Sequence, residues 1–156
     1  MKPGDRLICA LIQPQPVGYR FKQWPLHITL VPWFRLDISS EQLAGQMREA
    51  YVGGHAFEIT VGMDAYFGYR NRKQVSLIDA PELPRLEGQS RRLLHAHKAW
   101  VVDEADKTRR GFRPHVTVQG DDRLHEGDRF ICDRLYVIAQ HGDCKVVEAE
   151  IVLSRL

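Results

Sequence analysis

Leu26 to Pro32 reads LHITLVP and Pro114 to Gly120 reads PHVTVQG; these two stretches decide how the chain is expected to fold. Each is an apolar run of strand length bounded by proline or glycine. Side chains alternate across a strand, so His27 and Thr29 share one face while Ile28 and Leu30 share the other. The same alternation sets His115 and Thr117 against Val116 and Val118. Each strand therefore anchors itself in a core through two aliphatic residues and presents an imidazole beside a hydroxyl. Pro25 and Pro32 are compatible with this at the strand's ends, where no ladder donor is needed.

Around these two strands the rest of the chain reads as a mixture of strands and helices. Arg6 to Pro14, RLICALIQP, is a buried strand. Ser39 and Gln42 form a capping box ahead of Leu43, Met47 and Tyr51 at helical spacing, and Gly53 and Gly54 end that helix. AFEITVG and KQVSLID are two strands joined by MDAYFGYRNR, an exposed tip rich in aromatic and basic side chains. Pro81 and Pro84 open a second helix, with Leu86, Leu93, Leu94 and His97 on one broad face, ending near Trp100. After the polar connection DEADKTRRGFRP comes the second histidine strand. RFICDRLYVIAQ and CKVVEAEIVLSRL then close the chain as a hairpin turning at Gly142. The order is strand, strand, helix, two strands, helix, three strands, which specifies an α+β domain with helices packed on antiparallel sheets.

Residues 1–156 have the size of a single domain. A hydrophobic content of 44% with 27% charged residues is globular composition, and no apolar run is long enough to cross a bilayer. The opening MKPGDRLICALIQP is interrupted by Asp5 and has strand length rather than that of a signal peptide, so no export is expected. Cys9, Cys132 and Cys144 form neither an even disulfide set nor a closely spaced metal pair, which fits a reducing compartment and the cytoplasm. A net charge of +2 is too small to imply nucleic-acid binding, so phosphate affinity has to come from local clustering.

One HxT match would describe an ordinary half-buried histidine. Two copies, each with aliphatic residues at both intervening positions, point to chemistry. Neutral imidazole accepts a proton and imidazolium donates one, and an ordinary pKa of about 6.5 makes both forms available near neutrality. Threonine adds a short, stiff hydroxyl that can hold a non-bridging phosphate oxygen between two imidazoles. In-line phosphoryl transfer uses that layout, with attacking and leaving oxygens on opposite sides of phosphorus.

HITL at His27–Leu30 and HVTV at His115–Val118 resemble the paired signatures of the two-histidine (2H) phosphoesterase superfamily, which includes the bacterial 2′-5′ RNA ligase-like proteins. The resemblance spans nearly the whole chain and extends to its length, to Pro114 just before the second histidine, and to the order of elements. It implies a bilobal, pseudo-twofold α+β fold with antiparallel sheets, helices outside and a central cleft. It also implies no metal and no organic cofactor, and action on 2′,3′-cyclic phosphates or related 2′-linked esters of an RNA end or nucleotide. By position, His27 and His115 are implied as catalytic residues and Thr29 and Thr117 as phosphate ligands. VPWF follows the first motif where many members carry a glycine-containing turn.

The expected reaction opens a 2′,3′-cyclic phosphodiester to leave a 2′-phosphate, with His115 as base and His27 as acid. The alternatives are a 2′-5′ RNA ligase or 2′-5′ phosphodiesterase, which share the chemistry, and a noncatalytic RNA-end or nucleotide-binding module, which does not turn over. No obligate protein partner and no membrane association are inferred.

A substrate rim is sought among Tyr66, Phe67, Tyr69, Arg70, Arg72 and Lys73, where rings and cations mix as in base-stacking surfaces, though a solvated turn has the same composition. Lys107, Arg109, Arg110 and Arg113 precede the second histidine strand, either as an anion-steering group or as a solvated loop. Trp24 and Trp33 flank the first strand and are candidates for base stacking or for ordinary packing. His95 and His97, two apart on a helix, do not share a face as a metal pair would, and His55, His125 and His141 read as surface residues. Motifs for P-loop, dinucleotide-binding and serine-hydrolase chemistry do not occur.

Overall fold

The computed structural model describes residues 4–51, 54–101 and 111–154. Lys107, Arg109 and Arg110 lie outside the described residues, as does Gly53. Among the described residues there are ten strands, two α-helices and a single 3₁₀ turn at Tyr69–Asn71. The strands are β1 (Arg6–Leu11), β2 (Arg20–Phe21), β3 (His27–Arg35), β4 (Phe57–Phe67), β5 (Lys73–Asp79), β6 (Trp100–Val101), β7 (His115–Thr117), β8 (Arg129–Cys132), β9 (Arg134–His141) and β10 (Cys144–Val152). The helices are α1 (Ser40–Ala50) and α2 (Glu82–Ala96).

All strand pairs are antiparallel and run in the order β2-β10-β9-β1-β3-β7-β5-β4-β8, with β6 added to β3. The sheet is curled into a half-barrel, and its two halves join where β3 meets β7.

One face of the sheet packs on the helices. Leu43, Ala44 and Met47 of α1 and Leu83, Leu86 and Leu94 of α2 bury against Ile8, Ile28, Leu30, Ile59, Val61, Val116, Val137 and Ile151. Burial of each such aliphatic side chain is worth about 1.5–3 kcal/mol. Ser90 donates its one hydroxyl hydrogen to the Leu86 carbonyl at 2.7 Å, so at the 2.6 Å contact between Tyr51 and Ser90 the Tyr51 hydroxyl is the donor, tying α1 to α2. The reverse face carries a second apolar group: Leu7, Cys9, Leu11, Phe21, Tyr136, Ile138 and Val147, with Trp24 and Trp33 packed against it.

The expected elements form, with three instructive differences. The capping box is present at α1, Gln42 N–H donating to Ser39 Oγ at 3.1 Å and Ser39 N–H to Gln42 Oε1 at 3.2 Å. The first histidine strand, however, does not stop at Pro32 but continues to Arg35. Its register with β1 shifts between Arg6 and Ile8 and again between Ile8 and Cys9, and proline is accommodated at such bulges because no ladder donor is required there. Leu30 and Val31 both turn into the core at one shift, and the second restores the original alternation, so Phe34 is again inward and Trp33 lies on the reverse face.

The second difference lies in α2, which ends at Ala96 with His97 as its cap; Lys98, at φ 56°, turns the chain so that Trp100 begins β6 instead of ending the helix. Third, the stretch Arg129–Gln140, read from sequence as one strand, breaks at Asp133. β8 pairs with β4 at one edge of the sheet, while β9 pairs with β1 and β10 in the other half. The closing hairpin of β9 and β10 turns at Gly142, whose φ of 60° is left-handed and suits glycine. Cys9, Cys132 and Cys144 are free thiols. No helix among the described residues is long and apolar enough to cross a membrane.

Candidate functional site

Ile28 pairs directly with Val116 across the β3–β7 junction. Continuing that antiparallel register by one residue in each direction sets His27 against Thr117 and Thr29 against His115. Residues directly opposite on antiparallel strands share a face, so the two imidazoles and two hydroxyls form a two-by-two grid with a local twofold. Ile28 and Val116 are 0% and 1% exposed on the helix-covered side. His27, Thr29, His115 and Thr117 are all half-buried on the opposite side.

The imidazoles are held alike. His27 Nδ1 lies 2.9 Å from the Pro25 carbonyl oxygen, and His115 Nδ1 lies 2.7 Å from the Arg113 carbonyl oxygen, in both cases two residues upstream. A carbonyl only accepts, so Nδ1 is the donor in each contact and Nε2 is the nitrogen that gains or gives up a proton.

Their surroundings differ. The Trp24 indole stacks on His27 with centroids 4.1 Å apart and planes 29° apart. Phe67 meets His115 edge-on at 4.7 Å and 72°, and the Arg113 guanidinium lies over the Phe67 ring at 4.4 Å. Burial pushes the His27 imidazole below its ordinary value of 6.5, the Pro25 carbonyl partly opposes this, and the nearby His115 adds to the depression. The neutral, proton-accepting form of His27 is therefore favoured.

The β4–β5 hairpin divides the expected rim between two faces. Phe67 pairs with Lys73, and Val75 and Leu77 pair with Thr117 and His115, so Phe67 and Lys73 lie on the imidazole side. Tyr66 pairs with Gln74, and alternation carries Tyr66 to the side away from the imidazoles, where Gln74 donates to Asp64. Tyr69, Arg70 and Arg72 are exposed at the tip, with Arg70 over the Tyr69 ring at 5.0 Å. Trp33 meets Trp24 edge-on at 6.3 Å and backs it against the apolar group beneath.

On this face one residue takes a role that the sequence leaves open, and another escapes sequence reasoning. Trp24 offers itself in sequence for base stacking or packing, yet it is the ring that covers His27. Lys145 of β10 is absent from the residues that the motifs single out; it is 9% exposed, with its ammonium 5.7 Å from the Trp24 centroid. Its signal is a cation at a position whose strand neighbour two residues on, Val147, is buried.

Among the described residues no three His, Cys, Asp or Glu side chains group to hold a metal ion. Grooves of about 470 Å³ occur elsewhere, one between His55–Glu58 and Pro81–Arg85 and another along Arg6, Ser39–Glu41 and Val146–Glu148. Neither brings together a pair of imidazoles, as the grid does.

Residues 9–150 match the family model of the 2′-5′ RNA ligase superfamily. The chain belongs to that family. Its members are 2H phosphoesterases, and the two HxT strands, at the junction of the halves, fall within the matched span. No curated relative matches it by sequence. Among solved structures it is similar to E. coli LigT complexed with 3′-AMP, at 14% identity and a TM-score of 0.62, over 97% of this chain and 99% of that one. E. coli LigT complexed with NADP+ aligns at 15% identity and a TM-score of 0.59, over 99% of both chains. TT0787 of Thermus thermophilus aligns at 14% identity and a TM-score of 0.60, over 96% of this chain and 97% of that one. At these identities the likeness establishes the LigT-like fold.

Proposed function

We propose that this member of the family is a metal-independent phosphoesterase that opens a 2′,3′-cyclic phosphodiester at an RNA end or nucleotide, leaving a 2′-phosphate. The observation that carries the reading is the grid: two imidazoles, each committed through Nδ1 to a carbonyl, stand diagonally across a strand junction with a hydroxyl beside each. The 2H resemblance of both motifs and the binding of 3′-AMP and NADP+ by LigT support a substrate of nucleotide type.

In the proposed step Nε2 of one histidine removes a proton from water as its oxygen attacks phosphorus. The bond from phosphorus to the ribose 3′ oxygen breaks, and Nε2 of the other histidine protonates that oxygen. Thr29 and Thr117 donate to the non-bridging oxygens, whose charge is concentrated in the transition state. His27, covered by Trp24 and held toward its neutral form, takes the part of base, and His115 that of acid. This reverses the roles expected from sequence, where the covering indole is not visible.

The test is a panel of 2′,3′-cyclic nucleotides, cyclic-ended RNA oligomers and 2′-5′-linked dinucleotides, with products assigned by phosphorus NMR. A 2′-phosphate from the cyclic substrates is expected. Absence of turnover across the panel would leave the family's fold without this activity.

A further inference from the structure

Lys145 sits on β10 directly opposite Phe21 of β2 and Gln140 of β9, so neither strand neighbour offers it a carboxylate. The acidic side chains of the same strand are engaged elsewhere: Glu148 with Ser40 and His141, Glu150 with Arg134. Lys22, close by in sequence to Phe21, is paired with Asp143 at 3.0 Å. Among the described residues no ion pair involves Lys145, although the side chain is 9% exposed. Burial falls on the aliphatic stem, while the ammonium keeps contact with solvent beside the Trp24 indole, where an anion can meet it.

That indole also stacks on His27. The ammonium is therefore no farther from the His27 ring than the sum of the two separations from Trp24, 5.7 Å and 4.1 Å. β9 and β1 lie between the strand of Lys145 and that of His27, so the ammonium approaches the imidazoles from one side of the site. An anion at Lys145 is then a neighbour of the reacting phosphate rather than the same group. A ribose spans a distance of this order between its 2′,3′-phosphate and its 5′-phosphate. Phe21 and Tyr19 continue the aromatic wall beside Trp24, with Tyr19 37% exposed.

We propose that Lys145 is the anion ligand of a second phosphate subsite, which receives the 5′-phosphate of the nucleotide whose 2′,3′-cyclic phosphate meets His27 and His115. This rests on the phosphoesterase reading above and narrows its substrate to nucleotides bearing a phosphate on each side of the ribose, as the terminal residue of an RNA strand does. Lysine suits the task as a compact point charge on a long stem.

The experiment compares adenosine 2′,3′-cyclic phosphate with and without a 5′-phosphate, by kcat/KM and by binding read from tryptophan fluorescence. The wild type is expected to favour the 5′-phosphorylated compound by about 10- to 100-fold, the factor for one charge-assisted hydrogen bond. Lys145→Met should bring the ratio near one, Lys145→Arg should restore most of it, and Lys22→Met, with the same change of net charge, should keep it. A wild type without the preference, or a Lys145→Met variant that retains it, overturns the subsite. If neither compound is turned over, the phosphoesterase reading fails, and binding still decides the subsite: tighter binding of the 5′-phosphorylated compound, lost in Lys145→Met, supports it, and equal or absent binding overturns it.

Discussion

Ile28 of β3 lies directly opposite Val116 of β7, and both side chains are sealed on the helix-covered face. Strand alternation converts that pairing into the arrangement of the site. With these two residues turned inward, the residues on either side of each must turn outward, and the antiparallel direction places each histidine across from the other strand's threonine. A slip of one residue at this junction would send the imidazoles into the core. The aliphatic residues between histidine and threonine are thus as much a part of the site's geometry as the polar ones.

Ile28→Ala should therefore damage stability and turnover together. Removing three methyl or methylene carbons from a fully buried position is expected to cost about 2–5 kcal/mol, against about 0.5–1.5 kcal/mol for Ile28→Val. Chemical denaturation gives the first quantity and kcat the second. An Ile28→Ala protein of wild-type stability would show that the junction is not packed as described.

How much of this is legible in sequence depends on whether the signal is local. Helix α1 announces itself because Ser39, Gln42 and the Leu43–Met47–Tyr51 spacing are satisfied within one short segment. β3 and β7 are readable because histidine and threonine alternate with aliphatic residues there. Pro32 looks like an end because a bulge depends on the partner strand, here β1, and Asp133 looks like one polar position in a longer strand because the crossover depends on which edges β8 and β9 find. The two-residue strands β2 and β6 carry no periodicity at all. Lys145 beside Trp24 is a meeting of β10 with the segment before β3, more than a hundred residues away, and the stacking of Trp24 on His27 depends on the turn between them; only the folded sheet reveals either.

Thr29→Ala and Thr117→Ala should each slow turnover by about ten- to a hundredfold, the equivalent of one charge-assisted hydrogen bond of roughly 1.5–3 kcal/mol. Thr→Ser at the same positions keeps the hydroxyl and should recover most of the rate. Wild-type kinetics in both alanine variants would make the threonines structural.

Thorough chelation should leave the rate nearly unchanged, because two imidazoles and two hydroxyls already account for both proton transfers and for the charge on the phosphate oxygens. Rates before and after chelation, and after adding back Mg²⁺, Mn²⁺ or Zn²⁺, decide the point. A strict requirement for one of these ions would replace the proposed mechanism.

Trp24→Ala should raise the His27 pKa toward its ordinary value of 6.5, since the covering indole contributes the burial that lowers it. If His27 is the base, the acidic limb of the rate profile moves to higher pH in the variant. The sign for stability follows from the same shift. Below 6.5 the unfolded chain takes up a proton at His27 more readily than the folded one, so His27's contribution is intact above 6.5 and is lost as pH falls toward the depressed folded value. NMR titration of the His27 ring in both proteins measures the shift directly. An unmoved limb with a shifted His27 titration would return the role of base to His115.

The strictest prediction concerns the two imidazoles together. His27→Ala or His115→Ala should each lower turnover by roughly 10² to 10⁴ through loss of general base or general acid catalysis, with a smaller effect on substrate binding. Both proton transfers serve one displacement at phosphorus, so the double variant should lose less than the product of the two single losses. In the wild type the active form requires one imidazole neutral and the other protonated, which makes the rate a bell-shaped function of pH whose limbs belong to the coupled pair. Each single variant removes one limb: His27→Ala should lose the acidic one and His115→Ala the basic one, if His27 is the base. Single-turnover rates for the four proteins on a 2′,3′-cyclic nucleotide, each first shown to be folded by circular dichroism, measure all of this. Full activity in either single variant would end the paired acid–base mechanism, and limbs lost in the opposite order would keep the pair while exchanging the two roles.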